Sequence, residues 1–315
     1  YFASKYKVVE QDSIEETGFS ATLFQNKDTL EYHLATRGSA SLLDNPLDPD
    51  WIDANLDNLN YGIAYSQVAD LINFYLQLSH VSGENVAQFS FEEGYFFEGD
   101  VPPSQPYIII DTLELEPGVT RTTYLTFNEI DSAPAFGSIS HTQQLNVTGH
   151  SLGGHLASAF TLLFPSVVGS TSTFNSAGFI GDRFDEFANV IAQVASLSPV
   201  SVTNSSVNVT DIIAPLDPVS SIGSHLGGGL VDVFIETEDG VADFESHSMD
   251  RLVDSLAVIN LLNTLDSSFT LAKANELLPL ASSDEYTELE GMMNYLARLF
   301  DQGEVAITDS DHDQV

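Results

Sequence analysis

Apolar and polar residues alternate in two early stretches, Phe19-Ser-Ala-Thr-Leu-Phe and Leu30-Glu-Tyr-His-Leu-Ala, on either side of Asn26-Lys-Asp. A period of two with turn-forming residues between the runs predicts a β-hairpin. Its second strand enters Arg37-Gly38-Ser39, and Asp44-Asn-Pro-Leu-Asp-Pro-Asp reads as a loop. The period then changes. Ala64, Val68, Leu71, Ile72, Tyr75 and Leu76 recur at helical spacing and predict a buried amphipathic helix between Gly62 and Ser79. Residues 84–138 keep no clean period: Phe89, Phe91, Tyr95, Phe96 and Phe97 precede Pro102-Pro103 and a β-like Tyr107-Ile-Ile-Ile. An extra hairpin covering the core and a substrate-facing flap both fit that pattern.

Further along, "QLNVTGHSLGGHLASAF" (144–160) reads as a strand, a tight turn and a helix with Leu156, Phe160 and Leu163 on one face and Pro165 near its end. Val167 to Asn175 predicts a strand, Arg183 to Ala195 a helix, and Val207 to Ala214 another strand. A later helix begins near Ser248 and turns Met249, Leu252, Val253, Leu256 and Ile259 inward. Strands alternating with helices predict the α/β class, a mainly parallel central sheet with helices on both faces. Beyond Asp266, the spacing of Tyr286, Leu289, Met293, Leu296 and Phe300 predicts one more helix. The expected organisation is a sheet domain over residues 1–265 and a helical appendage with an acidic end over 266–315.

Composition narrows the function classes. The chain has 315 residues, 43% of them hydrophobic, enough for a sizeable core. No apolar run approaches the roughly 18 residues that cross a bilayer, so stable membrane insertion is not expected. The sequence opens at Tyr1 without a basic and then apolar leader, so any secretion signal is expected to be absent or already removed. Nine Lys+Arg face 46 Asp+Glu, a formal charge of −37. Such a surface repels phosphate backbones and anionic membranes, which argues against nucleic-acid partners. It also repels itself, so a salty or calcium-rich setting is the preferred expectation; an acidic secreted protein with no salt demand is the alternative. Zero cysteines exclude disulfides, thiolate metal sites and cysteine nucleophiles. Asn146-Val-Thr, Asn204-Ser-Ser and Asn208-Val-Thr match glycosylation acceptors, but Asn146 sits in a predicted strand and all three read as chance.

The chemistry centres on Gly149-His150-Ser151-Leu152-Gly153, a G-x-S-x-G motif with a strand before it and a helix after it. A serine on so sharp a turn takes a strained backbone, and side chains two residues to either side would clash. The helix start behind it offers N–H groups and a positive dipole to a developing oxyanion. Ser151 is therefore the expected nucleophile, while His150 and His155 read as packing residues. A serine hydroxyl needs a base and a group to orient that base, in the chain order Ser, Asp or Glu, His. His247 lies just before a helix whose expected N-cap is Ser248, on a loop free to reach the serine. His225, in Gly223-Ser-His-Leu-Gly, is the reserve. For the acid, Asp217 follows the strand that ends near Ala214, and Asp211 competes if that strand stops at Thr210.

These residues carry a resemblance. "VTGHSLGGHLA" resembles the nucleophile motif of the fungal-type (class 3) lipases in the α/β-hydrolase superfamily. "LATRGS" (34–39) is similar to that family's strand ending in an Arg-Gly-Ser/Thr turn, and "TFNSAGFIGD" (173–182) to its strand after the nucleophile helix. "HSMDRLVDSLAVINLL" (247–262) resembles the histidine segment of bacterial relatives among the secreted lipases and phospholipases. The resemblance implies an α/β-hydrolase fold with Ser151 as nucleophile, His247 as base, and an oxyanion hole from Ser39 and the backbone N–H of Leu152. The family's acid loop often reads Asp-x-Val-Pro; "DIIAP" and "DPVSS" each match it in part, so both aspartates stay open.

The expectation is a secreted serine carboxylic-ester hydrolase acting on lipids, a triacylglycerol lipase or esterase, at an oil–water or micelle interface. A phospholipase A-type acyl hydrolase is the alternative within enzymes, and a calcium-dependent binding module with an inactive hydrolase fold the alternative outside them. The chemistry requires no cofactor. A structural calcium stays open: Asp309-Ser-Asp-His-Asp has alternating oxygens, but Gln314 stands where such a loop needs glycine, and a solvated acidic end is the simpler reading. Asp44, Asp48 and Asp50 likewise read as loop solvation. Arg37 suits either support of the oxyanion loop or pairing with surface carboxylates.

Overall fold

A computed structural model describes residues 2–38, 62–195, 197, 207, 209–226, 230–235 and 246–281. Several expectations fall outside these residues: those on Ser39, on Asp44, Asp48 and Asp50, on Asn204 and Asn208, on the Tyr286 to Phe300 helix and on the Asp309 stretch. A single-turn helix α1 (Phe2–Lys5) leads into β1 (Tyr6–Ile14), β2 (Phe19–Asn26) and β3 (Tyr32–Thr36), then α2 (Tyr65–Ser79). Strands β4 (Asn85–Phe97), β5 (Tyr107–Glu116) and β6 (Val119–Pro134) follow, then β7 (Leu145–His150), α3 (Leu152–Leu163), β8 (Val168–Phe174) and α4 (Arg183–Ala195). The chain continues through β9 (Val209–Ile213), β10 (Leu230–Asp232), α5 (Met249–Leu265) and α6 (Leu271–Ala281).

One sheet runs in the order β1-β2-β3-β7-β8-β9-β10. The hairpin expected around Asn26 is present, with β2 antiparallel to β3 and Leu23 opposite Leu34. From β3 through β7 to β8 the pairing is parallel: Leu34 faces Val147 on β7, and Val147 faces Thr171 on β8. This parallel run needs helices as crossovers, and α3 supplies the one between β7 and β8. Strand β1 escapes periodicity because it is an edge strand with much of both faces exposed, so no clean alternation marks it.

Compactness divides the chain into two units. One comprises Tyr1–Asp211 with Ile222–Gly229, the other Ile212–Ser221 with the chain from Leu230 onward. In the first, Leu34 and Val147 from the sheet, Val68, Leu71 and Ile72 from α2, and Leu156, Phe160 and Leu163 from α3 form one buried cluster. Each such side chain contributes roughly 1.5–3 kcal/mol by leaving water. The Tyr75 ring of α2 meets Phe160 at 5.2 Å and Phe164 at 4.4 Å, fixing helix to helix. In the second unit, Leu252, Val258 and Ile259 of α5 and Ala274 and Leu278 of α6 are buried. Asn275 of α6 accepts from the Phe234 N–H at 2.9 Å and donates to the Asp232 carbonyl at 2.8 Å, clipping the end of β10 to that helix.

Residues 84–138 hold more than the hairpin that their pattern suggests. They form a separate three-stranded antiparallel sheet in the order β4-β6-β5. Irregular pairing hides its strands from the sequence pattern. Bulges at Gln88/Phe89 and Ile109/Asp111 break the alternation. Glu116-Pro-Gly-Val makes the β5–β6 turn, with Gly118 at φ 82 as the third residue of a type II turn requires. The base of the sheet is buried: Phe91 lies 4.9 Å from Phe127, 5.3 Å from Tyr65 of α2 and 5.7 Å from Phe187 of α4. At its far end Tyr95, Leu113, Leu115 and Val119 are exposed.

One acid is held against its nature. Asp70 of α2 accepts the Thr17 hydroxyl at 2.5 Å, yet burial, with Asp12 and Glu16 nearby, pushes its carboxyl up from 3.8 to about 6. The folded chain thus holds this proton more tightly than the unfolded one. Its contribution to stability is fully present below 3.8 and lost as pH rises through about 6. Asp70→Asn keeps an acceptor for Thr17 and cannot ionise. It should stabilise the fold at pH ~8 by about 1–2 kcal/mol while changing little at pH ~4. Thermal melts of both chains at the two pH values check this, and an equal difference at both would refute it.

Candidate active site

The end of β7 runs into α3 without a spacer, and Ser151 alone makes the turn. It is the N-cap of α3 with φ 58 and ψ −127, a backbone conformation that L-residues avoid. Its N–H donates to the Phe174 carbonyl of β8 at 3.0 Å, and its carbonyl accepts from the His155 N–H at 3.2 Å, so both peptide groups are fixed. Leu152 is the first helical residue; its N–H belongs to the set that intrahelical bonding leaves open.

The flanking glycines are required by space. A methyl group on Gly149 would stand 2.2 Å from the Gly153 carbonyl oxygen, and one on Gly153 would stand 2.3 Å from the Thr36 carbonyl oxygen. Thr36, at the end of β3, donates its hydroxyl to the Gly153 carbonyl at 2.6 Å and reaches the Thr148 carbonyl at 3.1 Å. Gly38 continues this strand end beside the serine: a methyl group there would lie 2.7 Å from the His150 carbonyl oxygen and 3.3 Å from Ser151 Cβ. Arg37 is held back toward β2, its N–H on the Ser20 carbonyl at 2.9 Å and its guanidinium on the Gly18 carbonyl at 3.2 Å. Thr36 and Gly38 are site-forming residues that sequence reasoning passed over. Their signal is the small-residue pair flanking Arg37.

His155 is fully buried, with its ring 4.6 Å from that of Phe179, and burial pushes it down to about 4. It is a neutral packing group.

The sequence leaves two acids and two histidines open, and each aspartate has one histidine. In the second unit, His247 Nδ1 lies 2.8 Å from Asp217 Oδ1. The Asp217 side chain is fully buried and also accepts the Val219 N–H at 3.1 Å and the Ser220 N–H at 2.8 Å. Burial alone would raise this carboxyl, but the hydrogen bond and charge of His247 and the Ser220 donors outweigh it and hold it below the usual carboxylate range. An ionised carboxylate can only accept, so the hydrogen of this bond sits on His247 Nδ1. Ser248 follows as N-cap of α5, its hydroxyl accepting the Asp250 N–H at 3.3 Å. In the first unit, the same one as Ser151, His225 Nδ1 is hydrogen-bonded to Asp211 Oδ2. Asp211 lies inside β9 and is buried, so the strand does not stop at Thr210. Among the described residues no group of three or more His, Asp or Glu is placed to hold a metal ion, and no helix is long and apolar enough to cross a membrane.

No protein-family model matches this chain, and no curated protein does. Among solved structures it is similar to the Lip2 lipase from Yarrowia lipolytica, at 15% identity and a TM-score of 0.31, over 74% of this chain and 66% of that one. It is also similar to a triacylglycerol lipase from Penicillium expansum, at 12% identity and a TM-score of 0.30, over 73% of this chain and 70% of that one. Scores of this size define neither fold nor activity.

The crowding at the turn is testable. Gly153→Ala should destabilise the chain by about 3 kcal/mol or more, since its neighbours are backbone atoms that cannot rotate away. Gly169→Ala on β8, whose nearest neighbour would be 3.6 Å off, should stay within about 0.5 kcal/mol of the parent. Urea midpoints of the two variants give the comparison; similar values would show that the turn has room.

Proposed function

We propose that this chain is a secreted serine carboxylic-ester hydrolase acting on lipids, organised as an α/β-hydrolase. The observation that carries the reading is the backbone of Ser151, φ 58 and ψ −127 on a strand-to-helix turn. A strained, non-glycine residue persists only where its surroundings enforce it, and such strain clusters at reactive groups. Here it lifts a hydroxyl to the mouth of a helix N-terminus.

In this reading Ser151 Oγ attacks the ester carbonyl and His247 Nε2 takes the hydroxyl proton, with Asp217 holding the imidazole through Nδ1. The Leu152 N–H and Ser39 stabilise the oxyanion. The tetrahedral intermediate collapses, the alcohol leaves with the proton from His247, and a water attacks the acyl-enzyme by the same steps in reverse. The reading requires His247 to reach Ser151 in the working enzyme. The Asp217–His247 hydrogen bond supports it, because it supplies the oriented, basic imidazole that the serine needs.

The test is labelling with a fluorophosphonate together with turnover of a soluble ester. Wild type should label at Ser151 and release alcohol, and Ser151→Ala should lose both while keeping its melting profile. Removing any triad member should cost at least about 10⁴-fold in kcat. Asp217→Ala should therefore be severely impaired. A pure Ser151→Ala variant that still turns over would end this proposal, and an unlabelled, inert but folded wild type would favour a binding module. Fatty-acid release from emulsified triglyceride compared with phosphatidylcholine separates lipase from phospholipase.

The charge of −37 supports a salt-rich working medium. Screening cuts the Debye length from about 10 Å at ~0.1 M to about 3 Å at ~1 M salt, so the melting midpoint should rise on that change. Equal midpoints in the two buffers would remove the salt requirement from the proposal.

A further inference from the structure

We infer that Asp211 and His225 are positioning residues for the Ser151 turn, a second Asp–His pair whose task is to fix the end of β8. The inference rests on the reading of Ser151 as the nucleophile.

Asp211 is 2% exposed, in the interior of a sheet strand, where an ionised carboxylate is costly unless every oxygen is partnered. Its partners all come from other segments. Thr173 Oγ1 donates to Oδ1 at 2.8 Å, Ser176 Oγ reaches both oxygens at 3.2 and 3.1 Å, and His225 Nδ1–H donates to Oδ2. Thr173 and Ser176 bracket the end of β8, and this strand end holds the nucleophile. Thr173 is in register with Gly149 and Phe174 with His150, and the Phe174 carbonyl accepts the Ser151 N–H at 3.0 Å. Between them Asn175, fully buried, turns the chain at φ 44.

Ser176 also touches the far side of the turn. A methyl group on Gly154, in the first turn of α3, would stand 2.4 Å from Ser176 Cβ. The hydroxyl drawn to Asp211 thus sets the wall against which the start of the nucleophile helix rests. His225 closes the arrangement from the other side. Its segment is stitched to the chain after β8 by Phe179 N–H to Ser224 carbonyl at 2.9 Å, the reverse bond at 2.8 Å, and Gly178 N–H to Ile222 carbonyl at 2.8 Å. A path of hydrogen bonds runs from the His225 ring through the Asp211 carboxylate to the hydroxyls of Thr173 and Ser176, which flank Phe174, the backbone partner of Ser151. The pair needs a hydrogen-bond donor at the Nδ1 position of residue 225, not a titrating base.

That distinction gives the experiment. Active serines are counted by fluorophosphonate titration, and kcat and KM for p-nitrophenyl butyrate are expressed per titrated site, so misfolded protein does not enter. His225→Ala should lower kcat per site on the order of 10- to 100-fold with KM unchanged, the scale of a small misplacement of a reacting group. His225→Asn, whose amide N–H can stand in for Nδ1–H, should restore most of that rate. Ser176→Ala and Thr173→Val should show smaller losses of the same kind, and they carry the test if His225→Ala does not fold. A wild-type rate per site in His225→Ala, or in both hydroxyl variants, overturns the inference. So does a folded His225→Asn as inactive as Ser151→Ala, which would make the imidazole itself the base. A wild type that neither labels nor turns over overturns the proposed function instead, and is distinguishable from all of these.

Discussion

The close approach of three backbone segments around Ser151 is the constraint on which the rest of the site depends. The end of β3, the end of β7 and the first turn of α3 meet at separations that leave no space for a Cβ at Gly149 or Gly153. The Thr36 hydroxyl fills the remaining gap and satisfies the Gly153 carbonyl. Because β3, β7 and β8 are hydrogen-bonded in parallel register, the position of each strand end is inherited by its neighbour. The strained φ of Ser151 is therefore held by the sheet, not by the serine's own preference.

Buried carboxylates in and just after β9 meet a related constraint. A parallel sheet covered by helices is dry inside, so a carboxylate there must be fully partnered or protonated. Asp211 and Asp217 solve this in different ways. Asp211 gathers side-chain donors from β8, its following turn and the 222–226 segment. Asp217 instead closes on the N–H groups of Val219 and Ser220, within its own turn, and adds one imidazole. The first arrangement ties distant segments together; the second presents a histidine from a compact local frame. Asp70 is the contrasting case, with one hydroxyl donor and acidic neighbours, and its carboxyl accordingly moves up.

What could be read from the sequence depended on the range of the interaction. The G-x-S-x-G turn, α4 at Arg183–Ala195 and the Ser248 cap of α5 are local: propensity, periodicity and capping chemistry act over a few residues, and the residues themselves carry the signal. The antiparallel β4-β6-β5 sheet was legible only in part. Its turn is written plainly in Pro117-Gly118, but its bulges interrupt the alternation by which strands are recognised. Strand β1 left almost no trace, since an edge strand with exposed faces has little reason to alternate.

By itself, then, the sequence determined which hydroxyl stands on the strained turn, because the glycines that make room for it lie within two residues. It also determined the alternation of strands and helices that stacks a parallel sheet. It could offer two aspartates and two histidines but not the way they combine. Only the tertiary structure decided that Asp217 takes His247 and Asp211 takes His225. The physical reason is that a side-chain hydrogen bond spanning 30 residues, or 14, is set by where strands and loops end in space. No local pattern encodes that distance.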